Sequence, residues 1–388
     1  MIAAEVVFWS CLAVCVYIYA GCPLLLVALS RLWPRPVRAA AVTPAVTLVI
    51  PAHNEEAVIA PKLANCLALD YPSDRLDVIV ASDGSTDGTA AIVSAHADPR
   101  VRLIALPRGG KASALDAGAA QATGEVLVLT DADAMLDAGA LRHLVAPFAD
   151  PEVGGVCGNK RQRGRDGDGT AGGDGLYWRY EQWQKRMEGR FASVYAADGS
   201  LYAIRRELYV PLADAAQADD IAISARVVVQ GRRLVFAPQA VAWETAPGEA
   251  ALEFARKVRV TNHSLRAVLG LGRALWTRGV FSLELVSHKL LRHLAPVFMV
   301  GLLAASVALA GRTFYRAALA LQLAFYGAGA AGFFLRRTRL VRVRPLTLAY
   351  YFCFVNAAAL LGVVSVLRGT RLPAWTPRGG LAAHGENA

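Results

Sequence analysis

The stretch GEVLVLTDADA (Gly124–Ala134) runs four apolar residues straight into two aspartates one residue apart. A short apolar run bounded by turn-forming residues reads as a buried strand. Three other segments follow the same plan: TLVIPAHNEE (47–56), LDVIVASDGSTDGT (76–89) and VRLIALPRGGKASAL (101–115). Helix-like stretches at Ala57–Leu69, Thr89–Ala97 and Leu136–Leu144 alternate with them. Strands alternating with helices indicate an α/β domain built on a mostly parallel sheet. In such sheets ligands bind beyond the carboxyl ends of the strands, so the polar clusters should meet on one edge.

Each cluster has a chemical reading and a plainer one. Asp131 and Asp133, at i and i+2 of an extended segment, project to the same side. That suits a hard divalent cation completing its shell with substrate phosphates, while a helix cap or solvated loop uses the same residues. Pro51, His53, Asn54, Glu55 and Glu56 form a strand-to-helix junction in which Asn54 serves as cap. Asp83 ends a strand before a Gly- and Ser-rich turn, where a carboxylate either shapes the turn or grips the N–H of a uracil ring. Arg108, Gly109, Gly110 and Lys111 lack P-loop spacing but offer cationic and backbone donors to a phosphate. Asp219 and Asp220 precede IAISARVVV, either as acids in a first helical turn or as a proton acceptor.

The 388 residues are 55% hydrophobic and only 19% charged, yet carry a net charge of +10. With a mean hydropathy of +0.36, the surplus arginine fits a membrane protein better than a nucleic-acid binder, because it flanks apolar stretches instead of forming a dense patch. Val6–Leu29 is long enough to cross ~30 Å of hydrocarbon. Arg31, Arg35 and Arg38 follow it, the reverse of a secretory signal, so it reads as an anchor with a cytoplasmic C-terminal end. Leu294–Ala310, Ala317–Leu335 and Pro345–Leu367 are further spanning candidates, and Phe281–Arg292 reads as an interfacial helix. The basic linker Arg336–Arg344 is expected in the cytoplasm with the catalytic domain. The same parity sends the tail with Arg368, Arg371 and Arg378 outside, against the charge rule. Arg161–Gly175, rich in Gly, Asp and Arg, reads as a mobile loop, and Tyr177–Met187 as a helix. The six cysteines form no CxxC pair and read as packing residues. The expected organisation is an anchor and linker (1–44), a catalytic domain (45–250), Arg-containing and interfacial helices (251–293), spanning helices (294–368) and a tail (369–388).

Taken together, VIPAHNEE, ASDGSTDGT, GGKASAL, TDADA, DGSLYAIRR and ADDIAISARVVVQGRRLVFAP resemble a membrane-anchored family-2 glycosyltransferase with a GT-A fold, of the cellulose-synthase-like branch. The resemblance runs from Val46 to Arg266. It implies a UDP-sugar donor, Mg²⁺ or Mn²⁺, and a polysaccharide or lipid-linked acceptor at the membrane, with export or co-synthase subunits as possible partners. Pro51, His53, Glu55 and Asp83 would line the nucleotide pocket, with Lys111 at the phosphates. Asp131 and Asp133 would handle nucleotide and metal, Asp133 as the direct ligand. Asp220 would be the base, with Asp219 beside it in a variant of the family's Thr-Glu-Asp. Gly199 and Ser200 would sit near the acceptor. Arg256 and Arg259 replace the family's Gln-x-x-Arg-Trp, with Val260 where Trp is usual, which puts the acceptor-stacking platform in doubt; Trp243 or Trp183 could substitute. A nucleotidyl- or phosphosugar transferase, or a scaffold with a degenerate nucleotide domain, remain the alternatives.

Overall fold

The computed structural model describes residues 1–163, 171–212, 219–245, 250–335 and 344–372. Its centre is an eight-stranded mixed sheet made of β1 (Val46–Ala52), β2 (Leu76–Asp83), β3 (Val101–Leu106), β4 (Val126–Leu129), β5 (Met135–Leu136), β6 (Val153–Arg163), β7 (Tyr202–Arg205) and β8 (Arg233–Thr245). Their order across the sheet is β3-β2-β1-β4-β7-β6-β8-β5. The first four pair in parallel, β7 runs against both β4 and β6, and β6 and β8 are again parallel. The carboxyl ends of β1, β2, β4, β6 and β8 therefore share one edge. Apolar residues alternate across β1: Leu48 and Ile50 enter one core, while Val49 enters the other.

Helices α2 (Glu56–Leu67), α3 (Thr89–Ser94), α4 (Lys111–Gln121), α5 (Ala140–Val145), α6 (Ala171–Phe191) and α7 (Asp219–Val229) flank this sheet, following an anchor helix α1 (Ile2–Leu32). Ile59 and Leu63 of α2 and Leu141 and Leu144 of α5 fill the first core. Leu115 of α4 and Ile223 and Val227 of α7 fill the second. A third core joins α7 to α8 (Ala250–Gly270) and to the start of α9 (Val280–Ala308) through Ala267, Val268, Phe281 and Leu285.

Together with α10 (Thr313–Leu335) and α11 (Arg344–Leu367), there are four helices among the described residues long and apolar enough to cross a membrane: Ile2–Leu32, Val280–Ala308, Thr313–Leu335 and Pro345–Leu367. Several expectations change here. Phe281–Arg292 is no separate interfacial helix: it is continuous with the next span through a π-helical turn at Leu285–Leu290. Strand β6 extends to Arg163 and α6 begins at Ala171, so only residues 164–170 of the expected loop lie outside the described residues. Leu136 belongs to β5, and its helix starts at Ala140. The linker 336–343 and the tail from 373, including Arg378, also lie outside the described residues. The start of the tail is tied to α8: Asn262 Nδ2 and Arg266 Nη2 donate to the Thr370 carbonyl at 3.1 and 2.9 Å, and His263 Nε2 lies 3.2 Å from the Leu372 carbonyl oxygen.

Candidate active site

The loops beyond β1 and β2 are latched together. Asn54 is no side-chain cap. It adopts a left-handed conformation (φ 55°), and its Oδ1 accepts from the Thr86 N–H at 2.8 Å. The Glu55 N–H donates to Thr89 Oγ1 at 2.8 Å, and Glu56 accepts from the Gly88 N–H at 2.7 Å. His53 Nδ1 lies 2.8 Å from the Asp83 carbonyl oxygen, and Pro51 is buried in β1. Asp83 itself is fully buried. Its carboxylate accepts from the Gly109 and Gly110 N–H groups at 2.6 and 2.9 Å and from Arg108. Asp83 thus folds the Arg108–Gly110 loop across the end of β2. Gly84 (φ +60°) makes this possible, since a Cβ there would lie 2.8 Å from the Arg108 nitrogen.

Beyond β4 the pleat ends at Asp131. Asp131 and Asp133 are brought together by a turn, closed by the Ala134 N–H to the Asp131 carbonyl at 3.3 Å, and not by the strand alternation expected from spacing. A third carboxylate joins them. Asp131, Asp133 and Glu244 each offer an oxygen within 4.8 Å of the others, the one such group among the described residues. An all-carboxylate set of this size fits a hard, oxygen-seeking divalent cation. Burial pushes the Asp131 carboxyl up to about 6 against the pull of Lys111, with Asp133 and Glu244 adding to the rise, as uncompensated like charges should.

The supports of this cluster were not visible as motifs. Glu244, at the end of β8, pairs with Lys160 at 2.8 Å and meets Ser200 Oγ, whose single proton serves either Glu244 or Asp198, the latter at 2.7 Å. Ser200 is 1% exposed and braces Glu244, one residue from Gly199. Beneath the turn lies Lys62 of α2, fully buried, donating to Thr130 Oγ1 at 3.0 Å and to the Ala134 carbonyl. Burial lowers its proton affinity, while Cys66, Asp131, Asp133 and Glu244 oppose that. Lys62→Met keeps the volume but takes the buried ammonium donor from the Ala134 carbonyl and leaves Thr130 Oγ1 with its bond to the Ser200 carbonyl alone. We expect it to cost about 2–4 kcal/mol of stability, read by chemical denaturation. An unchanged midpoint would show that Lys62 does not hold the turn.

Lys111, at the start of α4, bridges Asp131 at 2.7 Å and Asp219 at 3.1 Å. Gly199 lies among these groups: a Cβ there would be 3.5 Å from Lys111 Nζ, 3.6 Å from Asp131 Oδ2 and 4.0 Å from Asp220 Oδ2. Asp220 sits in the first turn of α7, with Oδ1 accepting from the Ile221 N–H at 2.8 Å. Burial pushes its carboxyl up to about 6, Asp219 and Asp198 add to this, and Lys289 and Lys111 oppose it.

Arg256 and Arg259 share α8, but Arg256 is gripped by Glu253 through two bonds of 3.0 and 3.2 Å. Its charge is still felt at Lys160, beside the carboxylate cluster. Val260 is 46% exposed. Trp243 Nε1 donates to Asp137 at 2.7 Å, and Trp183 stacks on Tyr180.

Residues 47–210 match the profile of Glycosyl transferase family 2. The probable glycosyltransferase YdaM of Bacillus subtilis is 32% identical over 215 residues, covering 53% of this chain and 51% of that one. The poly-beta-1,6-N-acetyl-D-glucosamine synthase of Staphylococcus aureus is 27% identical over 208 residues, 52% and 50% of the two chains. The beta-monoglucosyldiacylglycerol synthase of Synechocystis is 38% identical over 118 residues, 29% and 25% of the two chains. The matches thus span about half or less of these curated relatives. A solved mannosyltransferase of Pyrobaculum calidifontis, in complex with GDP-Man and Mn²⁺, superposes with a TM-score of 0.68 at 25% identity, covering 93% of this chain and 99% of that one. Residues 47–210 thus form a family-2 glycosyltransferase domain, and the chain has the GT-A fold.

Proposed function

We propose that the chain transfers a sugar from a nucleoside-diphosphate sugar to a hydroxyl of a polysaccharide or lipid-linked acceptor, with inversion at the anomeric carbon. The observation that carries this is the space at Gly199, onto which Asp131, Lys111 and Asp220 all face within 4.0 Å. The groups suited to the diphosphate and the group suited to the acceptor proton thus look into one small volume. Asp220 takes the proton as the acceptor oxygen bonds to the anomeric carbon and the bond from that carbon to the diphosphate oxygen breaks. Lys111 lies where it can pass from Asp131 and Asp219 to the departing phosphates. Pro51, His53, Glu55 and Asp83 shape the nucleotide side through the latched loops, and Arg256 and Arg259 flank it from α8. Asp131, Asp133 and Glu244 would hold Mg²⁺ or Mn²⁺, which when bound neutralises charge on the leaving diphosphate.

The resemblance favours a UDP-sugar. The Pyrobaculum neighbour, with its GDP-Man, supports GDP-mannose as a second reading. Membranes holding the full chain, offered UDP- and GDP-sugars in turn, decide by which nucleoside diphosphate is released. Release of pyrophosphate in its place would overturn sugar transfer in favour of a nucleotidyl transferase. Sizing the product tests the exposed Val260: a single addition fits the absent tryptophan, and a long chain shows that its loss does not matter. Transfer should rise with pH as Asp220 ionises through about 6 and fall about tenfold per pH unit below it. A flat profile across that range would remove Asp220 from the proton transfer.

The catalytic domain belongs on the cytoplasmic face in this reading, beside Arg31, Arg35 and Arg38. The bonds of Thr370 and Leu372 to α8 support putting the start of the tail, with Arg371, on the catalytic side; with a cytoplasmic linker before it, α11 would then lie against α8 without crossing the bilayer.

A further inference from the structure

Between the anchor and the catalytic domain lies a cavity of about 250 Å³ that shares no residue with the transfer site. Tyr19 of α1, Tyr180 and Gln184 of α6, and Ser287, His288 and Arg292 of α9 line it. Two π-helical turns border it, Tyr17–Gly21 in α1 and Leu285–Leu290 in α9, joined by Tyr17 Oη and Ser287 Oγ at 2.8 Å. Single π turns inside helices are concentrated at functional sites.

Two features say what the cavity takes. His288 is 5% exposed, and its Nδ1 is bound to Glu188, while its Nε2 is buried with no hydrogen-bond partner. The Cys22 thiol is within hydrogen-bonding reach of the ring, so any bond it makes there is a weak sulfur one. A buried ring nitrogen left open is uncommon and calls for a polar atom from a ligand. Arg292 stands 5.8 Å over the Tyr180 ring, with Lys289 and His293 close by on the same turn of α9. Among the described residues no carboxylate lines the cavity. Glu188 behind it is paired with His288, and Glu284 lies further back beside Glu188. Tyr19 Oη donates to Asn356 and Gln184 Nε2 to Tyr180 Oη, both at 3.2 Å; the Tyr180 hydroxyl proton and the second amide N–H, with the Arg292 cation, suit an anionic oxygen group.

Its level in the fold names the source. From Cys22 onward α1 packs on α6, with Cys22, Leu26 and Ser30 buried and Ser30 Oγ 3.5 Å from Met187 Sδ. That leaves Ile2–Gly21 and Leu291–Ala308 to cross the bilayer, about 27–30 Å of helix, which matches the hydrocarbon thickness. The cavity therefore lies at the headgroup level on the catalytic side, and Tyr19 at its mouth is 42% exposed.

We propose that this cavity binds the phosphate of a bilayer lipid headgroup, which clamps α6 between α1 and α9. The test uses the purified full chain in nanodiscs of phosphatidylcholine, with or without phosphatidylglycerol, and in neutral discs with inorganic phosphate added. Native mass spectrometry reads lipid retention and thermal unfolding reads the clamp. Phosphatidylglycerol should be retained and raise the unfolding temperature. Arg292→Gln should cut retention by about tenfold or more, with Arg292→Lys intermediate. If Arg292→Gln does not fold, Gln184→Met removes a cavity donor without touching a charge and should also lower retention. Equal retention by the variants and the parent would overturn the site. A thermal shift reproduced by inorganic phosphate alone would overturn the lipid as its source.

Discussion

Asp220→Asn should lower sugar transfer by about 10²–10⁴-fold while leaving donor binding and folding intact. The amide keeps the shape of the side chain, and its Oδ1 can still accept from the Ile221 N–H at 2.8 Å, so the first turn of α7 loses no cap. The loss would therefore be one of chemistry. Burial already holds the Asp220 carboxyl up near 6, where a base can both take a proton and be ionised near neutral pH. Asp219 is the natural rival, but its carboxylate is engaged with Lys111 at 3.1 Å. Asp219→Asn should weaken transfer less, because it removes one counterion of Lys111 and leaves Asp131 at 2.7 Å. Release of nucleoside diphosphate by both variants, with bound donor measured separately, checks the pair. If the two lose activity equally, the proton acceptor has not been identified.

The sheet edge could be read from the residues because it rests on local rules. A strand that ends in TDADA, HNEE or DGST places its polar residues beyond the carboxyl end whatever the distant contacts are. The anchor and the spanning helices were legible for a similar reason, since length and hydropathy are properties of one segment. What escaped were roles set by partners far apart in sequence. Asp83 looks like a ligand-gripping carboxylate until the Gly109 and Gly110 N–H groups arrive from 26 and 27 residues away. Ser200 stands beside Gly199 in the chain, yet it turns inward to Glu244, 44 residues on. Lys62 did leave a trace: it follows Ile59 by three residues on the buried face of α2, where a lysine needs a buried partner. Glu244 left another, as one more acid at the end of an apolar strand in AVAWET. The π turn in α9 has no such trace, so a continuous span was split into an interfacial helix and a short crossing.

Glu244→Gln should weaken Mn²⁺ binding by about 10–100-fold, and transfer with it at limiting metal. Asp131 and Asp133 alone would be two acids on a half-buried turn, an arrangement that often holds nothing. Glu244 makes them a set of three, and its side chain is almost wholly buried. A buried carboxylate of this kind is costly unless paired. Lys160 and Ser200 meet that need from one side, leaving the other side toward Asp131 and Asp133. Glutamine keeps an oxygen for Ser200 and a similar volume, so the floor of the site should survive. The variant does leave Lys160 with Asp198 at 3.8 Å as its remaining counterion, so some stability will be lost without metal. The decisive reading is therefore the increment that Mn²⁺ adds, not the starting midpoint. A cation that binds only the folded state raises stability with its concentration over its dissociation constant. The parent should show that rise, more weakly at low pH where protons compete for the same oxygens. In Glu244→Gln the rise should need correspondingly more Mn²⁺. A parent that gains nothing from Mn²⁺ or Mg²⁺ would overturn the metal site altogether. A variant whose Mn²⁺ titration overlays the parent's would leave Glu244 as a brace for Ser200 and Lys160 only.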